Sequence, residues 1–410
     1  MFEKYDAYKD SGDKWIGKIP TDWFNERLGT ILEPISIKGN ADKDLLSITR
    51  EKGVILRDVE DDSENHNFIP DDLSNYKLIE KGQFGMNKMK AWQGSYGVSP
   101  YTGIVSPAYY IFRFIKPIYP DFFHWAIRSK TYISFFGSAS DGVRIGQWDL
   151  SKDRMKNIPF VFPNIDSQKK IVEFIQDKTG KIDQAIAIKE QQIDLLNERK
   201  QIVIQKAVTQ GLDPNVPMKD SGVEWIGQIP EHWKILKFKR ACQFIYDGTH
   251  GSYPRVEQGY RLLSVRNIID NEFVFREDDS CVSHKHFKEI SSKFLIRNDD
   301  IQLAIVGGTL GKAAIVKNLE EDIVTQRSLA TLRTQPKVLN PNFLLSFIRS
   351  PKYQNFLWAN AGFSAQPGVY LNTIQNSYLC MPCLKEQTLI TEYIETETTK
   401  FNPNLNFLSD

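Results

Sequence analysis

Cysteine is scarce in this chain of 410 residues and does not occur before Cys242; the others, Cys281, Cys380 and Cys383, also lie in the second half. The two halves repeat one another, as set out below, so a disulfide framework common to both is excluded. Long apolar runs are lacking as well: nothing reaches the roughly 18 apolar residues that a bilayer crossing needs. The amino-terminal stretch MFEKYDAYKD has no charged-then-apolar layout of a signal peptide. A cytoplasmic location is therefore expected. Net charge is almost absent, with 52 Lys and Arg against 51 Asp and Glu. No whole-molecule field draws the chain to nucleic acid or to a membrane, and any basic face must be local.

Catalytic equipment is thin too. GGTLGKAA (307–314) resembles a phosphate loop, but the place of its first glycine is held by Val306 and Lys312 is followed by Ala313. A β-turn with a basic tip is the expectation. CMPC (380–383) has the spacing of half a zinc site, and His284 and His286 could add imidazoles. The first half has neither, so buried free thiols are expected. Six histidines are scattered, no nucleophile elbow is present, and no catalytic or metal-binding residue is assigned.

What is present is a repeat. KDSGDKWIGKIPTDW (9–23) returns as KDSGVEWIGQIPEHW (219–233), ten of fifteen positions identical at an offset of 210, in a chain with eight tryptophans. PDFFHWAIRSKTY (120–132) matches PNFLLSFIRSPKY (341–353), and PNIDSQKKIVEFIQDKTGK (163–181) matches PCLKEQTLITEYIETETTK (382–400). LLSIT (45–49) and KLIEKGQF (77–84) parallel LLSVR (262–266) and FLIRNDDI (294–301); these short β-branched runs predict strands. Each copy is expected to be a mixed α/β (α+β) domain of short strands followed by one amphipathic helix near FFHWAIRS or FLLSFIRS. The length suits two such domains, and the 41% hydrophobic content gives each a core.

Between the copies, Ser167 to Val208 contains no proline and a single glycine. Ile182, Ile186, Ile193, Leu196, Val203 and Ala207 recur at steps of three and four, the seam of a coiled coil interrupted by Lys189 and Lys200. Ala185, Ile188, Leu195 and Ile202 widen the stripe. Forty helical residues would span about 60 Å, enough to hold two domains apart. Gly211 and Pro214 are expected to end the helix.

The remaining signal lies in turns that mix basic, amide and aromatic side chains. MNKMKAWQGSYG (86–97) offers Lys88, Lys90, Trp92, Gln93, Ser95 and Tyr96; DGVRIGQW (141–148) offers Arg144 and Gln147. In the second copy DGTHGSYPR offers Thr249, His250 and Tyr253, LLSVRN offers Arg266 and Asn267, GGTLGK offers Thr309 and Lys312, and VTQRS offers Gln326 and Arg327. Arg and Lys reach guanine O6 and N7, and Gln and Asn reach adenine N6 and N7, so these are candidate DNA-binding residues.

The KDSG..WIG.IP..W opening, the DGTH turn, GGTLGK followed by TQRS, and the P....Q..I..(F/Y)I entry into a long helix together resemble the DNA-specificity subunit of type I restriction-modification systems, over nearly the whole chain. The resemblance implies two target-recognition domains, residues 1–165 and 212–386, that read the halves of a split DNA target. A spacer helix (166–211) sets the gap, and 387–410 begins a second spacer. It also implies a chain without catalysis or bound cofactor, on which methyltransferase subunits using S-adenosylmethionine and restriction-translocase subunits using ATP and Mg would dock. In that family a second long helix pairs with the first; here FNPNLNFLSD follows Lys400, so the second spacer is expected to be truncated. The seam at Ile182, Ile186, Ile193, Leu196 and Val203 is then a partner-binding stripe, open to the methyltransferase or to self-association. The alternatives are a methyltransferase or nuclease with a cryptic site, and an assembly-defective truncated specificity subunit.

Overall fold

The computed structural model describes residues 5–57, 69–142, 148–363 and 366–400. Compactness divides the chain at Ile186 and Ala187, inside its longest helix.

The first unit is built on an antiparallel sheet of β1 (Leu32–Ile35), β2 (Phe84–Asn87), β3 (Tyr96–Val98) and β4 (Tyr109–Phe114), in the spatial order β1-β4-β2-β3. The second unit repeats it with β5 (Cys242–Asp247), β6 (Ile301–Ala304), β7 (Ala313–Ile315) and β8 (Leu329–Thr334), ordered β5-β8-β6-β7. The duplication read from landmark phrases is thus a duplication of topology. Leu46–Thr49 and Tyr260–Leu263 are strands, as expected, but Phe294–Arg297 forms none, and only Ile301 of that phrase enters the sheet.

Where one helix was expected in each copy there are two: α1 (Pro120–Ile127) and α2 (Lys130–Ser138), then, after α3 below, α4 (Pro341–Arg349) and α5 (Pro351–Ala359). Proline opens three of them, where its missing N–H costs nothing. The repeated Ile-Arg-Ser triplet is the corner: Ser129 and Ser350 are extended, with ψ of 157° and 143°. The arginine before each serine turns back onto main-chain carbonyls. Arg128 donates to Tyr96 O at 2.7 Å, Arg349 to Ala313 O at 2.8 Å, so each clamps its helix pair to an edge strand of its sheet. Burial lowers both guanidinium pKa values, that of Arg349 to about 10. A buried charge is tolerated here because carbonyl oxygens replace water.

A second latch is repeated. Gln168 and Gln387 are buried one turn into their helices and accept the N–H of Tyr119 and Asn340, each at 2.8 Å, while donating to Pro163 O and Pro382 O. This is the physical content of the P....Q motif.

The long helix α3 (Ile165–Gln210) runs unbroken as its pattern predicts and stops at Gly211, whose φ of +76° suits glycine. Ile182, Ile186, Ile193 and Leu196 are exposed and Val203 half-buried. The last turns behave differently: Ile204, Ala207 and Val208 are buried with Ile226, Ile229 and Trp233 in the second unit's core. The carboxy-terminal helix α6 (Leu384–Thr399) is described for 16 residues; the expected truncation concerns 401–410, which lie outside the described residues. No described helix is long and apolar enough to cross a membrane.

Candidate nucleic-acid interface

In the second unit the sequence-predicted turns are stitched together by main-chain hydrogen bonds. Thr249 N donates to Thr325 O at 2.8 Å, Arg327 N to Thr249 O at 3.0 Å, and Gln326 N to Leu263 O at 2.8 Å. Ile305 N reaches Ser328 O at 3.0 Å, bringing the GGTLGK turn alongside. The turns around 249, 263, 306 and 326, up to 77 residues apart in sequence, form one ledge. Gly248 permits it: a Cβ there would lie 2.2 Å from Thr325 O. Gly311 is required for another reason, its φ of +88°, a conformation that L side chains rarely adopt. The 307–312 segment is a turn, as expected, but its tip is Gly307–Leu310; exposed Lys312 stands at the foot, where its carbonyl accepts from Ala304 N at 2.7 Å before β7 begins.

On this ledge His250, Lys312 and Arg327 are exposed, and Thr249, Tyr253, Thr309 and Gln326 half-buried. Neither Lys312 nor Arg327 has a carboxylate partner among the described residues, which leaves their charge for a ligand. Two candidates fail. Asn267 is fully buried: it accepts from Ser264 N at 3.0 Å and donates to Val274 O and Asp279 Oδ1 at 3.0 and 2.8 Å, so its amide is spent on the fold. Arg266 is exposed but pairs with Asp278 and Asp279 at 3.4 and 3.3 Å, in a cluster shared with Arg261 and Arg276. Its charge is already compensated.

In the first unit the 86–97 segment packs against Trp148, Asp149 and Leu150. Lys88 Nζ lies 3.1 Å from Asp149, Leu150 N donates to Lys88 O at 3.1 Å, and the Trp92 and Trp148 rings are 5.2 Å apart. Strands Ser140–Asp141 and Asp149–Leu150 pair around the turn; Arg144 and Gln147 lie outside the described residues. Lys90 is exposed, Trp92 and Gln93 half-buried. Ser95 and Tyr96 are corrections: both are buried, and the Tyr96 ring sits 4.5 Å from Phe136 in the core, with burial raising its phenol pKa. Tyr96 opens β3, all three residues of which are buried, and Ser95 is buried immediately before it, which a loop reading of 86–97 could not show.

Two features escaped the sequence reading. Lys38, Lys77, Lys88 and Lys152 form a basic patch, close enough that the other three add to burial in lowering the Lys77 pKa. These lysines are spread over 115 positions, so no local pattern marks them. The second is the hairpin of Gly362–Phe363 and Pro367–Gly368, joined to the ledge by Gly307 N donating to Pro367 O at 2.7 Å. Its signal was in the repeat: at the offset of 219 that aligns Pro163 with Pro382, Gln147 falls on Gln366.

Around these surfaces no group of three or more His, Cys, Asp or Glu suited to a metal occurs among the described residues. Cys242 and Cys380 are buried, with thiol pKa values pushed up to about 12 by burial, whereas Cys383 is exposed, against the expectation of a buried CMPC.

A duplicated mixed α/β domain with a long helix running from the first copy into the second defines the class, and solved structures share it. A chain from a structure of complex assembly and conformational transition of the type I R-M system aligns with a TM-score of 0.65 at 15% identity, covering 93% of this chain and 91% of that one. The HsdS subunit of Thermoanaerobacter tengcongensis aligns with a TM-score of 0.57 at 16% identity, with the same coverage. At such identities the likeness is one of fold. Among curated proteins, the type I restriction enzyme MjaVIII specificity subunit of Methanocaldococcus jannaschii is 25% identical over 268 residues, 64% of this chain and 60% of that protein. The EcoBI specificity subunit of Escherichia coli is 25% identical over 293 residues, 67% of this chain and 58% of that one. The chain thus spans about three fifths of the length of the curated relatives it matches. No family model matches the sequence. The resemblance to type I restriction-modification specificity subunits holds in both sequence and fold.

Proposed function

We propose that this chain is a non-catalytic, sequence-specific DNA-binding subunit that reads a bipartite target, with one recognition domain in 1–165, the other in 212–386 and the spacer helix between them. The observation that carries the reading is the second unit's ledge, where separate turns are tied into one surface and present Lys312, Arg327, Thr249, His250 and Gln326. Lys38, Lys77, Lys90 and Lys152 supply the matching phosphate-binding surface in the first unit, and Lys88 joins it only by exchanging Asp149 for a phosphate. Two copies of one scaffold with different side chains on corresponding turns are what two different half-sites require. Arg144 and Gln147, with Gln366 in the second copy, are further DNA-contact candidates in this reading.

Methyltransferase subunits and restriction-translocase subunits are the partners, and S-adenosylmethionine, ATP and Mg belong to them. The complex acts on cytoplasmic DNA. The exposed stripe at Ile182, Ile186, Ile193 and Leu196 is the protein-docking surface of α3, for the methyltransferase or a second copy; light scattering across concentration separates these, since self-association raises the mass of the isolated chain.

Reconstituting methylation with this chain and mapping the modified adenines tests the reading. Exchanging residues 24–160 for those of a chain with another target should change one half of the site and leave the other. Methylation with unchanged targets after that exchange would remove the first unit from recognition. The chain alone should bind no S-adenosylmethionine, and its DNA affinity should fall steeply with salt.

A further inference from the structure

Beside the second unit's ledge lies a cavity of about 230 Å³, lined in part by Asp247, Tyr253, Glu289, Phe294, Ile323 and Thr325. Its size sets the first limit: a cavity of about 150 Å³ holds benzene, so a pyrimidine or purine ring fits this one. The surfaces set the second. Phe294 is held against Phe244 and Tyr246, ring centroids 5.1 and 5.7 Å apart, and with Tyr253 and Ile323 it gives walls suited to a flat ring.

The polar groups set the third. Asp247 uses Oδ2 on His250, and Oδ1 has no hydrogen-bond partner among the described residues. Glu289 accepts from the Tyr253 hydroxyl at 3.1 Å. Carboxylates accept only, so an occupant must donate; two of them against Lys293 in the lining disfavour an anion. Thr325 is buried and its hydroxyl has no partner, a group that a ring nitrogen would satisfy after a small shift. The main chain of Thr325 is bonded to Thr249, which puts the cavity directly against the reading ledge.

We propose that this cavity binds a nucleobase bearing an exocyclic amine, adenine or cytosine, with the amine donating to Asp247, the ring between Phe294 and Tyr253, and Thr325 on a ring nitrogen. Its place beside the ledge favours a base turned out of bound DNA over a free nucleoside, and in that respect the inference rests on the DNA-reading function. Enzymes that act on bases hold everted ones by the same combination of edge hydrogen bonds and stacking; here the capture would serve recognition.

The test uses the full chain and its mapped target duplex, with 2-aminopurine placed next to one adenine or cytosine at a time in the half-site read by residues 212–386, so that the tested base keeps its exocyclic amine and its departure from the stack raises the probe's emission. A several-fold rise in emission at one position, lost in Asp247→Leu and in the near-isosteric Thr325→Val while overall DNA affinity stays within about threefold, is the expected result. In parallel, adenosine and cytidine are titrated against inosine and uridine by saturation-transfer NMR. Selective binding of the amino-bearing pair, lost in Thr325→Val, without any emission change in the duplex would assign the cavity to free nucleosides and overturn the everted-base source. Tight DNA binding with neither signal overturns the site and leaves the DNA-reading function standing; absence of DNA affinity in the unaltered chain overturns that function first.

Discussion

Trp233 donates its indole N–H to Glu386 Oε1 at 3.0 Å, and through that bond the repeated opening phrase is tied to the start of α6. The ring is fully buried beside Gly211, at the end of α3, so three segments meet on one tryptophan. Glu386 also holds His232 at 3.0 Å. Glu386→Ala would leave the indole N–H buried without a partner, a loss of about 1–3 kcal/mol. Chemical denaturation of the second unit should show it as a lower midpoint with an unchanged slope; an unchanged midpoint would mean that packing alone holds the tryptophan.

The two glutamine latches give a paired prediction. Gln387→Leu strips partners from Pro382 O, Val338 O and Asn340 N, and Gln168→Leu does the same to Pro163 O and Tyr119 N. Each should cost about 2–4 kcal/mol, as buried polar groups left unpaired do. Because the latches belong to different units, each substitution should shift a different unfolding transition, resolved by hydrogen exchange. A double variant should sum the two within about 0.5 kcal/mol.

Acid should weaken the first unit through His124. Burial, then the nearby Arg128 charge, holds its pKa below the ordinary value, and Nδ1 accepts the Val98 N–H at 3.2 Å, which requires the neutral ring. A histidine whose pKa is depressed by folding contributes its full stability above about pH 6.5, the unfolded value, and loses it as pH falls through the lowered folded value. Thermal melts of the unaltered chain should therefore fall progressively below that pH. His124→Gln, which keeps an acceptor and does not titrate, should flatten the slope.

The sequence made the duplication, the long helix and the identity of most surface turns legible, because each rests on local or strictly repeated patterns. What it concealed depends on three-dimensional neighbours. Arg128 and Arg349 stand in a repeated triplet with no local mark of their role, yet they are half-buried clamps onto carbonyls contributed from more than 30 residues away. Ser129 and Ser350 break what reads as a single amphipathic helix, since the triplet gives no composition signal for a corner. Ser95, Tyr96 and Asn267 lie in the quoted turns but are buried, and periodicity in a three-residue strand or a single turn is too short to tell the faces apart. The Lys38, Lys77, Lys88 and Lys152 patch exists only once the chain is folded.

That division between exposed and buried candidates yields the sharpest test of the proposed DNA surface. Lys312→Ala and Arg327→Ala each remove an exposed cation, so each should weaken DNA binding at low salt and reduce the slope of log affinity against log salt by about one. If Lys312 and Arg327 contact phosphates, the loss will be uniform across sequences; if either reads a base, about 1–3 kcal/mol of discrimination should vanish at one position. Tyr96→Phe is the counterpart. The Tyr96 hydroxyl is buried and without a partner, so removing it should leave DNA affinity untouched and stability equal or slightly raised. Fluorescence anisotropy across a salt series, with melts run alongside, measures all three variants. A Tyr96→Phe chain that bound DNA more weakly at full stability would return Tyr96 to the reading surface and require β3 to open on binding.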